Sequence, residues 1–120
     1  MKLLDSNILI YAPQPQFSYL RPLLTDSESA VSEIALVEVL GYHQLTDTEK
    51  RYFETLFNNI TIISIDRTII LKAVELRQQK RMSIGDALHA ATSLVHTFTL
   101  YTRNENDFKW ITGLNIVNPI

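Results

Sequence analysis

Short apolar runs alternate with longer amphipathic segments along this chain. The short runs are rich in β-branched and aliphatic residues, which favour buried strands. They predict five strands, at residues 2–4, 29–32, 60–65, 97–102 and 114–117. Between these strands, apolar residues recur with the period of a helix. This spacing predicts helices over residues 6–12, 19–24, 33–42, 46–57, 66–80 and 83–96.

Polar residues that can cap a helix stand at several of these predicted starts. Thr46 and Glu49 have the spacing of a capping box. Ser32 and Asp66 each precede a helical pattern and can cap it. The helix at 83–96 is apolar on most of its sides, so we expect it to be buried.

Alternation of short strands with helices predicts a parallel sheet with helices on both faces. The expected fold is therefore an α/β three-layer α/β/α sandwich, and 120 residues suit one domain spanning 1–120. Sites in such sheets form beyond the carboxyl ends of the strands. Asp5 follows the first strand, and Asn104 and Asp107 follow the fourth.

Composition and charge narrow the function classes. Apolar residues make up 46% of the chain, which excludes general disorder. The absence of cysteine excludes disulfides, thiolate metal sites and a cysteine nucleophile. No apolar run is long enough for a membrane span, and Asp5 comes too early for a signal peptide, so we expect a soluble cytoplasmic protein. With a net charge of −2, any function on phosphates needs local cations or metal ions.

Four carboxylates stand at predicted element ends or on an apolar helix face, and each also has a purely structural interpretation. Asp5 can be a helix N-cap, and Asp86 can be the third residue of a helix capped by Ser83. Glu38 lies in the apolar stripe of the helix at 33–42, where an edge position would keep it solvated. Asp107 lies in a polar segment that is otherwise expected to be a loop.

Taken together, the four acids favour a metal site. Carboxylates that converge repel one another and raise each other's pKa, and a hard cation removes that cost. Mg²⁺ and Mn²⁺ prefer such oxygen ligands. The reaction class that follows is metal-assisted hydrolysis of a phosphodiester.

Other polar residues carry weaker signals. His89 comes three residues after Asp86 and can reach the same site, although a buried structural histidine is the simpler interpretation. No glycine-rich phosphate-binding loop occurs. Arg77, Lys80 and Arg81 form either a solvated helix end or a handle for the phosphate backbone of a substrate.

Four segments in order resemble the motifs of PIN-domain ribonucleases, and most closely those of the VapC-like toxins of type II toxin–antitoxin systems. These segments are LDSNILIY at 4–11, SEIALVEVL at 32–40, SIGDALHAA at 83–91, and TRNENDF at 102–108 followed by Gly113-Leu114 and Asn118-Pro119. The resemblance covers nearly the whole chain.

The resemblance implies a Mg²⁺- or Mn²⁺-dependent endoribonuclease on an α/β/α fold. Asp5 and Asp86 match the main metal-binding aspartates, and Glu38 matches the acid on the helix of the second segment. The fourth acidic position falls on Asp107 or on Asn104; we assign it to Asp107, with Asn104 as a weaker polar contributor. The hydroxyl of Thr102 matches a supporting position. The resemblance also implies an RNA substrate, a homodimer and a small antitoxin partner that covers the acidic groove and binds DNA.

The chain departs from the family pattern in two places. The segment 11–30 is short and proline-rich, and His89 replaces a residue that is usually aliphatic. One alternative is therefore a PIN-like RNA-binding or scaffold protein with weak or no catalysis. Asn104 is compatible with this alternative, because it is not an acid. Another is a phosphorylated receiver-like domain that uses Asp66, although no lysine directly follows the strand at 97–102.

Overall fold

A five-stranded parallel sheet forms the centre of the computed structural model, which describes residues 1–120. Its strands are β1 (Lys2–Leu4), β2 (Ser29–Ser32), β3 (Thr61–Ile63), β4 (Thr99–Tyr101) and β5 (Ile116–Val117). Their order across the sheet is β3-β2-β1-β4-β5, and every neighbouring pair is parallel. The predicted α/β fold with a parallel sheet is confirmed.

Seven α-helices connect or follow the strands. They are α1 (Ser6–Tyr11), α2 (Arg21–Thr25), α3 (Ile34–Leu40), α4 (Asp47–Asn59), α5 (Arg67–Gln79), α6 (Ile84–His96) and α7 (Glu105–Phe108), with a 3₁₀ helix at Pro15–Leu20. None of them combines the length and the apolar character needed to cross a membrane.

The predicted caps account for where the longer helices begin. Thr46 and Glu49 form both hydrogen bonds of the capping box at the start of α4. The Asp66 side chain accepts a hydrogen bond from the backbone of Ile69, and Ser83 does the same for α6. The Ser32 hydroxyl accepts from the Ile34 N–H, although the residue directly before α3 is Glu33.

Two hydrophobic clusters lie on opposite faces of the sheet. Leu3 belongs to the cluster formed with α5 and α6, and Leu4 belongs to the one formed with α1, α3 and α4. Successive strand residues point to opposite faces, so adjacent leucines of β1 serve different cores. This arrangement makes the three layers, and it buries most of α6 as its composition predicted.

Some boundaries differ from the predictions. Thr97 has a φ of 57° and ends α6, with its N–H bonded to the carbonyls of Leu94 and Ser93, so β4 starts two residues later than expected. The segment at 19–24 divides between the 3₁₀ helix and α2. The polar segment expected to be a loop contains α7, whose one turn is too short to produce a helical pattern in the sequence.

Candidate metal centre

The centre lies where the strand order reverses, at the carboxyl ends of β1 and β4. Asp5 follows β1 and Thr102 follows β4, and these two strands are neighbours. The backbone N–H of Asp5 donates to the carbonyl of Tyr101, which continues the pairing one residue past β1. Crevices at such reversal points are the usual ligand sites of open parallel sheets.

Asp5 is buried and its two carboxylate oxygens have different partners. Oδ1 accepts a hydrogen bond of 2.7 Å from the backbone N–H of Ser6, which makes Asp5 the N-cap of α1. Oδ2 accepts a hydrogen bond of 2.7 Å from the Thr102 hydroxyl, and Asn7 Nδ2 lies 3.3 Å away from it. The structural interpretation as a cap and the functional one are therefore compatible, because capping orients the carboxylate at the strand end.

Glu38 reaches the same crevice from α3. Its Oε1 accepts hydrogen bonds from the Ser6 hydroxyl at 2.8 Å and from His89 Nε2 at 2.6 Å. Its Oε2 lies against Gly85 at the start of α6, where a Cβ atom would come within 2.4 Å of that oxygen. A glycine in the first turn of α6 thus provides the space for this carboxylate.

His89 belongs to this cluster, although the sequence favoured a buried structural histidine at this position. Its side chain is completely buried, and Nε2 lies 3.5 Å from Asp5 Oδ1 as well as against Glu38. The hydrogen-bond network assigns the proton to Nε2, and Nδ1 has no partner. Ligand atoms of Asp5, Glu38 and His89 lie within 4.8 Å of one another. The available signal was the three-residue spacing from Asp86, which places His89 on the same face of α6.

The crowding of charges shifts three pKa values. Burial raises the pKa of Asp86, and the nearby charge of Asp5 raises it further. Burial also works to raise the pKa of Glu38, but the hydrogen bond and charge of His89 lower it overall. Burial works to lower the pKa of His89, but its contact with Glu38 and the charge of Asp5 raise it overall.

Asp86 and Asp107 face a groove of about 600 Å³ next to the buried cluster. Asp86 lies in the first turn of α6 and Asp107 in α7. The groove is also lined by three cationic residues of the α5–α6 region and by one aromatic residue: Arg77, Lys80, Arg81 and Trp110.

Asn104 contributes through its backbone rather than through its side chain. Its N–H donates to the Thr102 hydroxyl at 3.0 Å, and its carbonyl accepts from the N–H of Asp107. Its exposed side chain forms no hydrogen bond. Of the two candidates for the fourth acidic position, only Asp107 offers a carboxylate, and it lines the same groove as Asp86.

The donor chemistry of this arrangement fits a hard divalent cation. Carboxylate oxygens of Asp5 and Glu38 lie within 4.8 Å of each other, and Asp86 is close enough for their charges to raise its pKa. Mg²⁺ and Mn²⁺ prefer such oxygen ligands. Burial and the charge of Asp5 raise the pKa of Asp86, so a nearby cation would stabilise its ionised form. The residues present therefore suit such an ion, which would supply the missing positive charge.

Comparisons with known proteins agree with this fold. The family model of the PIN domain matches residues 2–113. A toxin–antitoxin complex from Klebsiella pneumoniae contains a similar chain, with 28% identity, a TM-score of 0.81, and coverage of 100% of this chain and 98% of that one. No protein among those with curated functions matches the sequence.

Two further structures show the same fold at lower identity. One is VapBC2 from Rickettsia felis bound to a DNA fragment from its promoter, with 23% identity, a TM-score of 0.80, and coverage of 98% and 97% of the two chains. The other is FitAcB from Neisseria gonorrhoeae, with 22% identity, a TM-score of 0.78, and coverage of 99% and 98%.

Proposed function

This chain belongs to the PIN-domain family, as its motifs indicated, and we propose that it is a metal-dependent endoribonuclease that hydrolyses RNA phosphodiester bonds. One observation carries the proposal. The carboxylates of Asp5 and Glu38 lie within 4.8 Å of each other and of His89, and burial together with their charges raises the pKa of the nearby Asp86. Such convergence is costly for folding alone, and it suits a divalent cation and a phosphate substrate.

In the proposed mechanism, Asp5 and Asp86 would hold Mg²⁺ or Mn²⁺, and the ion would supply a Lewis acid for the phosphate oxygens and a means of activating water. The Thr102 hydroxyl keeps Asp5 Oδ2 in place. Glu38 has Oε1 engaged by Ser6 and His89, so we assign Oε2 to accept a proton from the attacking water.

The remaining residues act on the substrate from the groove. Asp107 adds a carboxylate to the groove that Asp86 lines, and Asn104 supports the Thr102 hydroxyl through its backbone. Arg77, Lys80 and Arg81 line the same groove and would bind phosphates that flank the cleaved bond. The whole chain, 1–120, would act as one nuclease domain.

We further propose that the protein is the toxin of a toxin–antitoxin pair, works in the cytoplasm and forms a homodimer. The similar chain from Klebsiella pneumoniae comes from a toxin–antitoxin complex, which supports an antitoxin as a partner. Light scattering of the purified protein, alone and with the product of an adjacent small gene, would test the dimer and the partner together.

The function is tested by incubating purified protein with total RNA and with structured RNA in Mg²⁺, Mn²⁺ or EDTA. We expect internal cleavage that needs the metal and is lost in Asp5→Asn and Asp86→Asn. Asp47→Asn is the matched control, because Asp47 is an exposed carboxylate in the first turn of α4. It should cleave like the unmodified protein.

Cleavage that persists in EDTA or in both active-site variants would overturn the proposal. If a folded protein cleaves no RNA, calorimetric titration with Mn²⁺ separates the alternatives. Absence of Mn²⁺ binding would replace the nuclease with the alternative of a PIN-like RNA-binding or scaffold protein.

A further inference from the structure

The groove beside Asp86 contains an aromatic ring that the proposed chemistry does not use. Trp110 is the only tryptophan of the chain, and it lines the groove together with Arg77, Lys80 and Arg81. One part of its ring packs against the core cluster around Phe108 and Ile111. The Lys80 ammonium stands over the ring at 5.6 Å from its centroid, so Lys80 covers this face when no ligand is bound.

Trp110 is held in a fixed orientation. Its indole N–H donates a hydrogen bond of 2.9 Å to the carbonyl of Asp107, which lies in the same groove. This bond uses the only polar atom of the ring. A ligand therefore meets Trp110 through its aromatic face, and the orientation of that face is set in advance.

The cationic wall of the groove is not neutralised within the protein. Arg77, Lys80 and Arg81 form none of the chain's ion pairs, although two carboxylates line the same groove. The Nε of Arg77 donates to the carbonyl of Met82, which anchors the guanidinium at the end of α5. In a chain of net charge −2, three unpaired cations in one groove suit an anionic ligand.

An aromatic face beside unpaired cations matches one class of ligand, a single-stranded nucleic acid. Bases stack on aromatic side chains only when they are not stacked within a duplex, while Lys and Arg contact the backbone. Lys80 has a long flexible side chain, so it can leave the ring to contact a phosphate as a base takes its place. A paired base in an RNA duplex offers no free face to the indole.

We propose that Trp110 is a base-stacking residue that directs unpaired RNA into the cleavage site, with Lys80 and Arg81 binding the adjoining phosphates. This inference rests on the proposed ribonuclease function and adds to it a position where an unpaired base is held beside the cleavage site. Trp110 is thereby a specificity-determining residue, distinct from the metal-binding carboxylates.

The test uses Trp110 itself as the probe, because it is the only tryptophan. Unmodified protein is titrated with a six-nucleotide oligouridylate whose linkages are phosphorothioates that slow cleavage, once with Mg²⁺ and once with EDTA. We expect saturable quenching of tryptophan fluorescence in at least the Mg²⁺ series. A self-complementary G·C-rich RNA dodecamer with the same linkages, which is double-stranded under these conditions, should quench much less.

Variants then separate stacking from charge, with binding followed by the anisotropy of a labelled hexamer. Trp110→Leu should weaken binding about 5- to 150-fold, the range for loss of one base–aromatic stack, and Trp110→Phe should recover part of it. Arg81→Gln should weaken binding and reduce its salt dependence. Arg67→Gln is the matched control, because Arg67 is an exposed arginine at the other end of α5, about 15 Å from Arg77 along the helix.

Absence of quenching in both series, or equal quenching by the duplex, would overturn the inference. The binding test and the cleavage test together distinguish failure of this inference from failure of the proposed function. Metal-dependent cleavage without quenching would retain the ribonuclease and remove Trp110 from its substrate site. Quenching by the hexamer without cleavage of any RNA would retain the single-strand site and remove the catalytic proposal.

Discussion

Glu38 Oε1 lies 2.6 Å from Nε2 of the buried His89, and this contact joins α3 to α6 across the mouth of the candidate metal centre. The contact gives Glu38 a partner that is cationic whenever His89 is protonated. It also holds Glu38 in the crevice in the absence of metal, so that less reorganisation is needed when a divalent ion binds.

The Glu38–His89 contact predicts a pH dependence for the stability of the metal-free protein. The pKa of His89 is raised above 6.5, so its contribution is complete below pH 6.5 and is lost as the pH rises through the folded-state value. The pKa of Glu38 is lowered below 4.5, so its contribution is complete above pH 4.5 and is lost as the pH falls through the folded-state value.

The stabilisation by the pair should therefore be greatest between about pH 4.5 and 6.5. Urea unfolding in EDTA measures it as the difference in unfolding free energy between the unmodified protein and Glu38→Gln. Glu54→Gln is the control, because Glu54 forms only an exposed contact with Lys50. A difference for Glu38→Gln that does not change from pH 4 to 9 would contradict the prediction.

Replacing Asp86 by asparagine should have opposite effects on stability and on metal binding. The folded-state pKa of Asp86 is raised above 3.8, so the folded protein favours the protonated form. The stability that this form provides is lost as the pH rises through the folded-state pKa. At pH 7, Asp86→Asn should slightly increase the unfolding free energy of the metal-free protein, since the residue is only half-buried.

The same variant should lose the stabilisation that metal provides, which for the unmodified protein is about 2.7 kcal/mol at a metal concentration of 100 times Kd. Thermal unfolding with and without Mn²⁺ measures both effects. Asp47→Asn should retain the full response to Mn²⁺. A normal Mn²⁺ response in Asp86→Asn would remove Asp86 from the metal ligands.

The hydroxyl of Thr102 links Asp5 to the backbone of Asn104, and its removal should weaken both stability and metal binding. Thr102→Val keeps the shape but leaves the Asn104 N–H without its acceptor and Asp5 Oδ2 without its shortest hydrogen bond. We expect a loss of about 1–3 kcal/mol in unfolding free energy. We also expect about 10- to 100-fold weaker Mn²⁺ binding by calorimetry, as for other residues that orient a metal ligand.

The control for this variant is Thr92→Val in α6. Thr92 is buried like Thr102, but its hydroxyl donates to the carbonyl of Leu88 within the helix. It should change stability without changing the affinity for Mn²⁺. Equal losses of affinity in both variants would mean that Thr102 acts through stability alone.

Gly85→Ala should disturb Glu38 more than it disturbs the helix. Alanine favours a helix over glycine by about 1 kcal/mol, but its Cβ would lie 2.4 Å from Glu38 Oε2. The carboxylate must then shift, which disturbs its contacts with Ser6 and His89. We expect little net change in stability together with weaker Mn²⁺ binding and slower RNA cleavage.

A double-mutant cycle with Glu38→Ala checks this explanation. In that background the clash is absent, so Gly85→Ala should stabilise the protein by the helix propensity alone, about 1 kcal/mol. If the effect of Gly85→Ala on stability is the same in both backgrounds, the close approach to Glu38 is not the reason for the glycine.

Local sequence determined most of the elements and the fold class. Capping residues such as Thr46, Asp66 and Ser83 start helices through hydrogen bonds that reach only three residues along the chain. The sequence alone therefore predicts where these helices begin. The apolar strands and their alternation with helices predicted the parallel sheet, and thereby the edge at which Asp5 lies.

Only the tertiary structure decided which side chains meet at that edge. Asp5 and Thr102 are 97 positions apart, and Glu38 and His89 are 51 apart, so their contacts depend on strand order and on the packing of α3 against α6. The contact of His89 with Glu38 and the space left by Gly85 could not be predicted from the sequence for the same reason. Helical periodicity places a residue on a face, whereas the partner of that face follows from the way the whole chain folds.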